Sequence, residues 1–116
     1  MEDDFKSGNN DAKPDMRTYN ILINAWSKSS DSDAPHQARS LLNKMISLYS
    51  NKSLDEAPDI ITYNSVINVY AAHGDIKGAS DTFRMMENDY NSGNKGARPD
   101  VDTYSILINA WAKSSD

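Results

Sequence analysis

The chain contains no cysteine, which excludes disulfides, thiolate metal sites and a cysteine nucleophile, and fits a reducing compartment. Histidine is nearly as scarce, and His36 and His73 stand too far apart in the sequence to suggest a metal cluster. No apolar run approaches the roughly 18 residues of a membrane span. The opening stretch MEDDFKSGNNDAK is acidic and polar, the reverse of a secretory or transit peptide, and reads as a disordered tail over residues 1–13. Positive charge is the minority sign, with 12 Lys and Arg against 17 Asp and Glu and a formal net charge of −5. A protein that grips nucleic acid by bulk charge needs the opposite balance, because that affinity comes from cations displacing counterions. Any polynucleotide partner must therefore be held by local chemistry. With 116 residues, 38% of them apolar, the chain can bury only a modest core and no single deep pocket is expected.

What the chain does have is repetition. Residues 20–31 read NILINAWSKSSD and residues 105–116 read SILINAWAKSSD, identical at ten of twelve positions. Three longer frames align: KPDMRTYNILINAWSKSS from Lys13, APDIITYNSVINVYAAHG from Ala57 and RPDVDTYSILINAWAKSS from Arg98. Each runs Pro-Asp, two variable residues, Thr-Tyr, a small polar residue, then an apolar stretch. Tyr19, Tyr63 and Tyr104 place successive copies 44 and 41 residues apart, a period that indicates a stacked array.

Each frame describes a pair of helices. Tyr19, Leu22, Ile23 and Trp26 recur at helical spacing after the Pro14-Asp15 start, and Ile21 and Ala25 widen the apolar arc to roughly 200°. Asn20, Asn24 and Ser27 remain on a narrow polar strip, as expected of an inner helix packed on both flanks with one edge facing a concave surface. A second helix is predicted from about Asp33, with Pro35 in its first turn and Ala38, Leu41, Leu42, Met45 and Tyr49 on one stripe. In the middle frame Asp75 caps a helix carrying Ala79, Phe83, Met86 and Tyr90 on the matching stripe. The fold expected is an all-α, right-handed α-solenoid of antiparallel helix pairs. It comprises about two and a half repeats: 14–59, 60–100, and the first helix of a third over 101–116.

These frames resemble the pentatricopeptide repeat (PPR) family in its P-type form, most completely in PDIITYNSVINVYAAHGDIKGASDTFRMM from Pro58 to Met86. The Trp-x-x-Leu-Gly-x-x-Tyr signature of the related tetratricopeptide repeat is absent. The family repeat is roughly 35 residues, so both complete copies here are long. Trp26 to Ala38 takes three more steps than Tyr70 to Ala79, and both copies carry a long segment after the second-helix methionine, SLYSNKSLDEA and NDYNSGNKGAR. These insertions are expected to lengthen the second helix and its loop on the convex side, away from the polar strip.

The resemblance implies binding of single-stranded RNA, one base per repeat. It assigns base reading to the small polar residue after Thr-Tyr together with the Asp that closes the repeat: Asn20 with Asp59, and Asn64 with Asp100, both implying uracil. Ser105 implies a purine, its closing partner lying beyond the sequence given. The residue before Thr would stack on the base, a role suited to Ile61 and, through its guanidinium plane, to Arg17, whereas Asp102 suits neither stacking nor phosphate. Lys28 and Lys113 match the family's phosphate-contacting lysine, but the middle copy has Ala72 there. A mitochondrial or plastid role in RNA processing or stabilisation is implied by the resemblance alone.

The remaining signals are weaker. NSGNKG from Asn91 is glycine-rich but lacks Gly-Lys-Ser/Thr and a preceding strand, and reads as a linker. Asp31 and Asp33 lack the other ligands of a calcium loop. No paired carboxylates or activated nucleophile suggest catalysis, and no cofactor or metal is implied. The rival reading is a protein-binding α-solenoid scaffold, favoured by the acidic balance, Asp102 and Ala72. A segment that folds alone is also expected to leave Ile106, Leu107 and Trp111 partly exposed at its open end, giving marginal stability and self-association.

Overall fold

The structure, a computed structural model, describes residues 15–54 and 56–114; the expected N-terminal tail lies outside them. Five α-helices follow one another: α1 (Met16–Ser27), α2 (Ala34–Ser50), α3 (Ile60–Ala72), α4 (Ile76–Asn91) and α5 (Val101–Ser114), with a short 3-10 turn at Lys95–Ala97 before α5. No strand occurs among the described residues. The first helices α1, α3 and α5 form one row with α3 between the other two, while α2 packs on α1 and α3, and α4 packs on α3 and α5. This arrangement of helix pairs is an all-α solenoid.

Each start is set by an aspartate. Asp15, Asp59 and Asp75 accept hydrogen bonds from the backbone N–H groups of Thr18, Thr62 and Gly78, satisfying donors that the first turn leaves orphaned. α2 begins where Pro35 predicts, although the Asp33 side chain caps no backbone N–H and instead accepts from Gln37 Nε2 at 2.7 Å. The ends of α3 and α4 use glycine at positive φ, Gly74 at 76° and Gly93 at 120°, and α2 puts Lys52 into the same left-handed region at 69°. In all three the following N–H reaches back five residues, Asp75 to Tyr70, Asn94 to Asp89 and Ser53 to Leu48.

The core runs between the two rows: Tyr19 and Ile23 from α1, Ala38, Leu42 and Met45 from α2, Tyr63, Val66, Ile67 and Val69 from α3, Ala79 and Met86 from α4, and Leu107 from α5. The apolar stripes anticipated from sequence hold, with one exception at the end of α2, where Tyr49 is exposed. Burial on both flanks is realised in α3, which has a first helix on either side. α1 has such a neighbour on one side only among the described residues, so Ile21 and Ala25, expected to extend the buried arc, are exposed, Ile21 by 62%. At the other end α5 turns Thr103, Leu107 and Ala110 inward, at helical spacing. Leu107 is therefore buried, contrary to expectation, while Ile106 is half-buried and Trp111 exposed as expected, and the outward large apolar residues are Val101, Tyr104, Ile108 and Trp111.

The second helices are longer than the first ones, at 17 and 16 residues against 12, 13 and 14, so the insertions do extend them. The second insertion is pinned to the preceding repeat junction: Asn94 Nδ2 donates to the Pro58 carbonyl at 2.8 Å and to Asp89 Oδ2 at 2.9 Å, and Tyr63 Oη donates to the same Asp89 oxygen at 2.8 Å. The glycine-rich NSGNKG stretch thus serves as a tether. His73 links α3 to the α1–α2 turn, with one ring nitrogen 2.9 Å from the Val69 carbonyl oxygen and the other 3.0 Å from that of Asp31.

Candidate nucleic-acid interface

The Pro-Asp-x-x-Thr-Tyr-Asn order becomes a spatial device once the first turn coils. Asp at the cap and Thr at the third helical residue meet, because three residues bring the chain back to the same face. Asp59 Oδ1 accepts the Thr62 N–H at 3.1 Å, Asp100 Oδ1 accepts the Thr103 N–H at 3.1 Å, and Asp15 Oδ1 accepts the Thr18 N–H at 3.0 Å. These bonds favour the ionised carboxylate. At Asp15 the Thr18 amide, helped by the Thr18 hydroxyl and Arg17, holds the carboxyl below its usual range. At Asp100 the Thr103 amide does the same, with further help from the Thr103 hydroxyl and from Asn64.

Asn64 belongs to the preceding first helix, so its approach to Asp100 joins the two repeats. The hydroxyl of Thr103 donates to Asn64 Oδ1 at 2.6 Å, and that of Thr62 donates to Asn20 Oδ1 at 2.5 Å. Every aspartate that closes a repeat is thereby linked, through the threonine three residues on, to the asparagine that opens it. Sequence reading paired Asn20 with Asp59 and Asn64 with Asp100; the structure brings each pair together and adds the threonine between them.

The first pair lines an open cavity of about 580 Å³ with Arg17, Ile61, Ile21, Asn24, Glu56 and Ser65 among its walls. Four residues assigned from the sequence, Arg17, Asn20, Asp59 and Ile61, therefore share one concavity. Ile61 is 60% exposed there, an apolar surface left available at the mouth of a polar site. Arg17 is the single cation in the wall, against Asp15, Glu56 and Asp59.

Other assigned residues stand apart. Ser105 is exposed on α5, one helix row beyond Asn64. Lys28 caps the far end of α1, eight residues and about 12 Å of helical rise from Asn20. Lys113 lies in the last turn of α5, and both lysines are exposed.

Sequence reading missed three contributors. Thr62 and Thr103 are fully buried, and the signal for them was present, since every frame keeps Thr at this place while the two residues before it vary. Glu56 carried no such signal. It comes from the first insertion, which was expected on the convex side but instead brings this carboxylate to the cavity that holds Asn20. The reason is geometric: the loop after α2 must return to the N-terminal end of α3, which is where the Asp59 cap lies.

Comparison with protein families finds the PPR repeat family over residues 58–113 and a PPR repeat over residues 17–50. Comparisons with curated proteins and with solved structures found no match.

Proposed function

Since the chain belongs to the pentatricopeptide repeat family, whose repeats generally bind RNA, we propose that it binds single-stranded RNA along the strip formed by Asn20, Asn64 and Ser105, one base per repeat. The observation that carries this reading is the cavity shared by Asn20, Asp59, Arg17 and Ile61. A splayed base needs polar groups for its edge and a flat or apolar surface for its face. Asn20 and Asp59 supply the first; Ile61 and the Arg17 guanidinium supply the second. The Asn–Asp pair at each of the first two repeats favours uracil, and Ser105, shorter than an amide, leaves room for a purine. Lys28 and Lys113 are proposed to meet phosphates further along the groove. Family membership suggests the setting, RNA processing or stabilisation in a mitochondrion or plastid within a longer array.

The test is fluorescence anisotropy at low salt with labelled oligo(U), oligo(C) and oligo(A). The expected result is a preference for oligo(U) that the double variant Asn20→Ala, Asn64→Ala abolishes while circular dichroism stays unchanged. Equal binding of all three RNAs, or none, contradicts base reading. The acidic rim of Asp15, Glu56 and Asp59 favours a second reading, a protein-binding scaffold, and a folded protein silent to every RNA would point there.

A further inference from the structure

The two inter-repeat hydrogen bonds have a chemical polarity. Thr62 is the third residue of α3, fully buried, and its hydroxyl has two acceptors nearby: Asn20 Oδ1 at 2.5 Å and Asp59 Oδ1 at 3.2 Å. A hydroxyl has one proton, and the shorter distance assigns it to the asparagine. Thr103 repeats the geometry on Asn64 Oδ1 at 2.6 Å and Asp100 Oδ1 at 3.2 Å, and there the Asp100 N–H also donates to the hydroxyl oxygen at 3.2 Å. Thr18, at the same place in α1, is exposed and among the described residues bonds only its own cap, Asp15. The buried form therefore accompanies a preceding repeat.

We infer that Thr62 and Thr103 are positioning residues, each fixing which end of the reading amide of the preceding repeat faces the ligand. This inference rests on the RNA reading above. With its oxygen held by the hydroxyl, the Asn20 amide presents NH2, a donor. Asp59 Oδ1 is occupied by the Thr62 N–H, leaving Oδ2 as acceptor. Donor and acceptor side by side match the O4 and N3–H of uracil. Cytosine carries an amine donor at C4 and an acceptor at N3, the opposite order. An amide free to flip could also turn its oxygen to the cytosine amine, so by barring that flip the threonine hydroxyl adds to the preference for uracil over cytosine, which the Asp59 acceptor begins, without touching the base.

The test uses the full chain with Thr62→Val, which keeps the volume and removes the hydroxyl, and Thr62→Ser, which restores it. In the free protein, NMR relaxation of the Asn20 side-chain amide should show order lost in the valine variant and regained in the serine variant, with Asn64 unchanged as internal reference. On RNA varied at one position, the ratio of affinities for the U and C forms should fall about fivefold in the valine variant and recover in the serine variant. A valine variant with an Asn20 amide as ordered as wild type, or with the wild-type ratio intact, overturns the inference. A wild type with no such ratio overturns the RNA reading instead, and the amide order in the free protein still decides the role of Thr62. Should Thr62→Val fail to fold, Thr103→Val puts the same question to Asn64.

Discussion

Glu56 and Asp15 place carboxylates beside the cavity where Arg17 is the single cation in the wall, so a phosphodiester bound there would work against local charge. Neutralising Glu56 removes one repulsion without disturbing any hydrogen bond of the Asp59 cap. Glu56→Gln is expected to raise affinity for oligo(U) about two- to fivefold at low salt, an effect that fades as salt screens it; anisotropy across a salt series measures both. Tyr63 carries a different pH dependence. Its burial, then its bond to Asp89, push the phenol well above its usual value of 10.0. Since the folded value is raised, this stabilisation is complete below about pH 10 and is lost as pH rises beyond it, where the unfolded chain releases the proton and the folded one keeps it. Tyr63→Phe should remove that alkaline loss and cost about 1–2 kcal/mol at neutral pH, read by urea unfolding at several pH values. That Asn20, Asp59, Arg17 and Ile61 would come together was legible in the sequence, because each holds a set place in the repeating frame. Glu56 was not, because a loop's path depends on where the next helix begins.

Among the elements, the packing of α3 on α4 depends on closeness. Gly78 sits in the first turn of α4, and a Cβ there would fall within contact distance of Tyr70 Cδ1 and Cε1 and only 2.8 Å from Cγ. Helix propensity alone favours alanine over glycine by about 1 kcal/mol. The clash opposes it, because the Tyr70 ring is buried between the helices. Gly78→Ala is therefore expected to destabilise by about 1–3 kcal/mol, and a rise in thermal midpoint would contradict this packing. The helices themselves were readable from period and caps: Pro35 and Asp75 marked starts that the structure keeps. Their partners across the repeat were not. Thr62 reaches Asn20 from 42 residues away, and no local pattern specifies a hydrogen bond over that distance. What the sequence offered was only that Thr never varies among its three frames.

For the molecule as a whole, two opposing features decide function. The row of first helices repeats a donor and acceptor arrangement at each junction, which suits a ligand with a regular spacing. The net charge of −5 denies that ligand any general attraction. An RNA bound here would be held by base contacts more than by phosphates, so its affinity should depend only weakly on salt for a nucleic-acid complex. The array was foreseen from the 44- and 41-residue spacing; the inward turn of Leu107 was not, because period alone leaves open which arc of α5 meets α3. The measurement that bears most directly on the central claim is an NMR titration at low salt with short U-rich and A-rich RNAs, following the side-chain amides of Asn20 and Asn64. Movement of both amides by the U-rich RNA alone is the predicted result. Amides that stay in place through both titrations, in a protein that remains folded, would contradict it.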